Sequence, residues 1–208
     1  MQHDTIELKW GIFDELTNRQ GKDLLQLVRY KEAGEDFSTF LQQSKGYHLA
    51  LHYFINGYSF TDYCNSLQGK VILEHGNYYL NTLSFNLRPK SLWYDETLAW
   101  ERLTLKKLLC LPLTLEDVLP TLRFQMSSSD SDEKKLENEI ADSTMLYGCG
   151  CKDIYCGGWD IRVSEVEESI LWDINIRNHR KYVFEKQAYH SAFQEIRTYI
   201  EQHTGKVL

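Results

Sequence analysis

The sequence predicts an α+β fold, a mainly antiparallel sheet of sequence-adjacent hairpins with several packed helices. Three observations carry this expectation. Leu49, Leu51, Tyr53 and Ile55 fall on one face by period two and run into Asn56-Gly57, a dipeptide suited to the positive backbone angles of a tight hairpin turn. Trp159, Ile161 and Val163, then Ile170, Trp172, Ile174 and Ile176, repeat the alternation later in the chain. Tyr189, Phe193, Ile196 and Ile200 stand at i, i+4, i+7 and i+11, the apolar stripe of an amphipathic helix of about four turns. Strands that pair with their sequence neighbours make an antiparallel sheet.

Taken in order, Ile6, Leu8 and Trp10 alternate and predict a first strand over residues 6–13. The segment GKDLLQLVRYKEAG admits two readings: Leu24, Leu25 and Val28 have helical spacing, while LQLVRY also suits a strand. Next comes DFSTFLQQSKG, a short helix with Phe37, Phe40 and Leu41 on one side and Gly46 as its stop. After the Asn56-Gly57 hairpin a second is expected, residues 70–74 and 78–85 flanking His75-Gly76-Asn77. Helical spacing returns at Leu98, Arg102, Leu105, Leu108 and Leu109, and Pro112 ends it. Thr114, with Asp117 three positions on, has the form of a helix cap for LEDVLPTL. SEVEES is the expected turn of the last hairpin. Residues 127–139, SSSDSDEKKLENE, are almost free of apolar side chains and cannot bury enough to offset ordering entropy. They form either a mobile acidic loop within one domain spanning 1–208 or a boundary between subdomains 1–126 and 140–208.

The chain has 208 residues, 42% hydrophobic and 25% charged, an ordinary globular composition that needs no covalent staples. Apolar runs are too short to span a membrane, and the N-terminus lacks the regions of a signal peptide, which predicts a cytoplasmic protein. Thirty acidic against 23 basic side chains give a net charge of −7, which repels a phosphate backbone and argues against nucleic acid as partner. The same field attracts a basic protein, or serves solubility alone.

Five cysteines, an odd number, do not form a secreted disulfide pattern. Three of them, Cys149, Cys151 and Cys156, sit in YGCGCKDIYCGG with C-x-C-x4-C spacing. Three thiolates are a partial zinc site, with Cys64, Cys110 or a histidine as fourth ligand. A redox reading needs an activated thiol, and no helix start follows to supply one. The third reading is structural: small cysteines and glycines letting the chain turn closely before a strand. His48 and His52 share a strand face about 13 Å apart, too far to hold one metal together. No phosphate loop, nucleophile elbow or HExxH motif is present.

The run from Tyr147 to about Ile196 resembles the C-terminal part of a group of uncharacterised bacterial proteins. In that group a cysteine-glycine segment precedes a strand, a turn, a strand ending in Trp-x-[Asp/Ser], and a helix starting with Phe-x4-Tyr. The matching residues are Cys149, Cys151, Cys156, Gly157, Arg162, Val163, Trp172, Phe184 and Tyr189, while Asp173 follows Trp172 directly instead of one position on. The resemblance implies a bacterial source and a shared local fold, and carries no activity.

Two functional classes follow. A small, acidic, aromatic-rich protein without a catalytic motif is similar in character to the immunity proteins of bacterial toxin systems, such as contact-dependent growth inhibition. That reading expects no cofactor and a basic, nuclease-like toxin as partner. Its contacts would be Asp130, Asp132 and Glu133 in the acidic segment and Glu165, Glu167 and Glu168 in the last turn, unless both are simply solvated loops. The alternative is a metal-dependent or thiol enzyme centred on Cys149, Cys151 and Cys156, with zinc as cofactor.

Overall fold

The computed structural model describes residues 2–17, 23–44, 47–68, 79–81, 84–86, 94–119, 143–149, 158–174, 180–204 and 208. They form two antiparallel sheets and a set of helices, the α+β class the sequence predicts. The first sheet contains β1 (Ile6–Thr17), β2 (Asp23–Tyr30), β3 (His48–Ile55), β4 (Tyr58–Ser59) and β6 (Ser84–Asn86). Its order is β2-β1-β3-β4, with β6 on β3 as well. The second runs β10-β9-β8-β7-β5, from β10 (Arg180–Glu185) and β9 (Ser169–Ile174) through β8 (Gly158–Val166) and β7 (Thr144–Cys149) to β5 (Tyr79–Asn81).

The helices are α1 (Phe37–Gln43), α2 (Phe60–Gln68), α3 (Tyr94–Leu108), α4 (115–119), α5 (Lys186–Ala192) and α6 (Gln194–Thr204). None of the described helices is long and apolar enough to cross a membrane.

The strongest sequence signal is met in full. Leu49, Leu51, Tyr53 and Ile55 are all buried, and Asn56 and Gly57 turn with φ of 53° and 80°. The returning strand, however, has only two residues, because Ser59 caps a helix there: its Oγ accepts from the Asp62 N–H at 3.2 Å. The ambiguous segment resolves as strand β2, paired with β1 from Gly11↔Tyr30 to Thr17↔Asp23. Gly11 lets the Phe13 ring lie close against β1, since an added Cβ would come within 2.7 Å of that ring and 3.2 Å of Leu27 Cδ1 and would push both aside.

Four expectations are corrected. Residues 78–85 are not one strand: β5 pairs with β7 and β6 with β3, so the segment feeds both sheets. SEVEES is not a six-residue turn, because β8 continues to Val166 and only Glu167-Glu168 form the turn. The last helix is two, α5 and α6, broken at Phe193 while the stripe Tyr189, Phe193, Ile196 and Ile200 stays buried. Phe184 belongs to strand β10, and the helix after it starts at Lys186, capped by Glu185. Gly46, residues 70–77 and the acidic segment 127–139 lie outside the described residues.

One buried apolar cluster takes side chains from both sheets, with Trp10, Leu51 and Tyr53 from the first and Trp159, Trp172 and Phe184 from the second. Helices α3, α5 and α6 contribute Leu105, Tyr189 and Ile200. The sheets are also tied at Asp4. Its N–H donates to the Val183 carbonyl at 2.7 Å, and its carboxylate accepts from the Val183 N–H at 2.8 Å and the Asn56 amide at 2.7 Å.

Between β2 and α1, Arg29 forks onto Glu35 with hydrogen bonds of 2.8 and 2.9 Å. That fork, helped by the Glu32 N–H, holds the Glu35 carboxyl at about 2. Glu35 is therefore expected to stay ionised down to about pH 2, and to keep the Arg29 clamp through mild acid. A carboxyl-carbon NMR titration checks this. A Glu35 midpoint in the ordinary carboxylate range would show that the fork is not populated in solution.

Candidate functional site

The hairpin tip between β8 and β9 gathers Glu165, Glu167 and Glu168, all exposed. A two-residue turn joins Val166 to Ser169, its register partner. Glu167 takes the left-handed conformation, φ 54°, that a side chain normally disfavours. Glu165 is not free: it accepts from the Lys186 ammonium at 2.7 Å, and that hydrogen bond raises the Lys186 pKa. The Lys186 N–H also donates to the Glu168 carbonyl at 3.0 Å, which anchors the tip to the start of α5. The tip is an acidic knob with Lys186 paired at its base and half-exposed Val166 beside it.

The other candidates divide. Asp130, Asp132 and Glu133 lie outside the described residues, as do Cys151 and Cys156. Cys149 is the last residue of β7, its backbone paired with Tyr79. The cysteine-glycine run is therefore the connection between two paired strands, joined in register at Gly148↔Gly158. Among the described residues no group of three His, Cys, Asp or Glu side chains is placed to hold a metal.

The other two thiols are chemically quiet. Burial pushes Cys64 far above the ordinary thiol value, and burial with the Glu165 charge pushes Cys110 up to about 11. His52 meets Tyr30 Oη through Nδ1 at 3.1 Å, and burial lowers its pKa, so it rests neutral in a sheet-face cluster with Phe13.

A pocket of about 500 Å³ opens between the β3–β4 turn, the start of α2 and β10, lined among others by Tyr58, Asp62, Tyr63, Arg180 and Tyr182. The Arg180 guanidinium lies over two rings, 4.9 Å from the centre of Tyr63 and 4.8 Å from that of Tyr182. A signal existed for the α2 side: Ser59-x-x-Asp62 is a capping pattern. Nothing in the sequence joins Tyr63 to Arg180. No protein-family model matches the chain, and no curated protein or solved structure matches it either.

Proposed function

We propose that the chain is a non-catalytic binding protein of the immunity type, which neutralises a basic, nuclease-like toxin by stoichiometric binding in the bacterial cytoplasm. The observation that supports this most directly is Glu167. Glycine or asparagine occupies a left-handed turn position at lower cost. A glutamate there accepts backbone strain while presenting charge at an exposed tip, as a contact surface shaped for binding rather than stability does. With Glu165 and Glu168 it offers carboxylates in the place of substrate phosphates, and the chain's net charge of −7 adds long-range attraction to a basic partner. Inhibition is then steric occlusion of the basic active site.

The test is coexpression with the product of each adjacent reading frame. A toxic, basic product whose toxicity this chain relieves supports the reading, provided that Glu165→Lys with Glu167→Lys and Glu168→Lys abolishes the relief. No toxic neighbour, or relief that survives the charge reversal, overturns it. Glu167→Gly separates binding from folding: the urea midpoint is expected unchanged or higher, while partner affinity falls several-fold.

A further inference from the structure

Two opposite charges line the Tyr58 pocket without meeting. Asp62 and Arg180 both face it, yet no ion pair joins them among the described residues. Arg180 has no hydrogen-bonded acceptor there either; its contacts are the Tyr63 and Tyr182 rings. Those rings fix the guanidinium in place while leaving its N–H fork to an outside acceptor. A pre-positioned fork suits a planar carboxylate, which it grips with two parallel hydrogen bonds and little further loss of side-chain freedom. Asp62 sets the charge that the pocket tolerates. A phosphate monoester brings nearly two negative charges at neutral pH, a carboxylate only one. Beside Asp62, in a chain of net charge −7, the single charge meets less repulsion. Tyr58, 79% exposed at the rim, supplies apolar surface for the rest of the ligand.

We propose that this pocket binds a monocarboxylate borne on an aromatic or apolar body, the carboxylate forked on Arg180 and the body against Tyr58. The site is separate from the acidic hairpin tip and does not depend on its role. Such a carboxylate belongs either to a small organic acid or to the free end of a peptide.

The full chain is titrated, by calorimetry or by amide chemical shifts, with phenylacetate, N-acetylphenylalanine, its uncharged amide, phenyl phosphate, and the peptide Ala-Ala-Ala-Phe. Saturable binding of at least one carboxylate is expected, with the amide and phenyl phosphate each at least tenfold weaker than N-acetylphenylalanine. Arg180→Gln lowers carboxylate affinity at least tenfold with an unchanged melting temperature, since Arg180 is exposed. Asp62→Asn narrows the disadvantage of phenyl phosphate. A peptide more than tenfold tighter than phenylacetate assigns the source to a chain terminus, and comparable affinities assign it to a small acid. The proposal is overturned if no carboxylate saturates, if the amide binds as well as the acid, or if Arg180→Gln binds like the parent.

Discussion

Tyr189→Phe is expected to destabilise the protein by about 2–4 kcal/mol, although it removes a single oxygen atom. Tyr189 is fully buried, and its hydroxyl joins three elements. It accepts from the Trp172 indole N–H of β9 at 2.8 Å and donates to the Leu108 carbonyl at 2.9 Å. Leu108 ends α3, so its carbonyl is one of the last-turn acceptors that a helix cannot satisfy internally. Without the hydroxyl, a buried donor and a buried acceptor lose their partner together, at about 1–3 kcal/mol each. Little apolar area is lost, so the penalty is polar. Trp172 also packs against Tyr53, Phe60 and Phe184, with ring centres 5.4–6.1 Å apart, and those contacts survive the substitution. Urea unfolding of Tyr189→Phe, Trp172→Phe and the double variant measures the coupling, expected at about 0.5–3 kcal/mol. A Tyr189→Phe cost below about 0.5 kcal/mol would show that water reaches both orphaned groups.

The same relay shows what sequence reading reaches. Trp172 and Tyr189 were each legible as core residues, because a period of two and a period of 3.6 mark buried faces. Their hydrogen bond was not, because no local pattern says which strand face meets which helix. Strand β3 was legible for the same local reason, and so was its turn, where Asn-Gly chemistry is specific. Residues 78–85 show the opposite case. Their composition suits a strand in either sheet, and long-range pairing with β3 and β7 decided the split. Strand β10 had a short signal in Tyr182 and Phe184, which alternate, but it runs straight into the cap of α5. The break at Phe193 leaves no trace in the apolar stripe, because one residue of distorted helix shifts the periodicity too little to see.

The candidate sites divide along the same line. Glu165, Glu167 and Glu168 lie within four residues, so their clustering was readable. The left-handed backbone of Glu167 was not, since glutamate is a poor predictor of positive φ. Arg180, Tyr63 and Asp62 come together because Asp4 and Asn56 tie the edge of one sheet to β10 of the other. That is tertiary structure, and no spacing rule records it.

Asp117 combines a legible cap with an illegible ion network, and its removal is expected to cost about 3–5 kcal/mol. The Thr114–Asp117 cap forms in its reciprocal half: Asp117 Oδ2 accepts from the Thr114 N–H at 2.8 Å and hydroxyl at 2.7 Å, and the Asp117 N–H donates to the Thr114 carbonyl at 3.0 Å. The carboxylate also takes Lys106 at 2.7 Å and Arg102 at 3.2 Å, and the Lys106 side chain is only 8% exposed. Asp117→Ala leaves the Lys106 ammonium buried with one long contact, 3.5 Å to the Pro112 carbonyl. Stranding that charge costs more than the lost cap, which is worth about 1 kcal/mol. Asp117→Leu combined with Lys106→Met removes the carboxylate and the more deeply buried of its two cations, leaving Arg102, whose side chain is 13% exposed, and is expected to recover part of the loss.

The pH dependence has a definite sign. Burial raises the Asp117 pKa, but the Lys106 hydrogen bond and the Thr114 cap outweigh it, so the folded value lies below the ordinary one. Its contribution is therefore complete above the unfolded carboxylate pKa of about 3.9 and is lost as pH falls through the lower folded value. Urea unfolding at pH 7 and at stepped acid values, for the parent and Asp117→Asn, isolates this part as the difference between the two curves. The curves should converge in acid; a constant offset would mean that Asp117 acts through its cap rather than its charge.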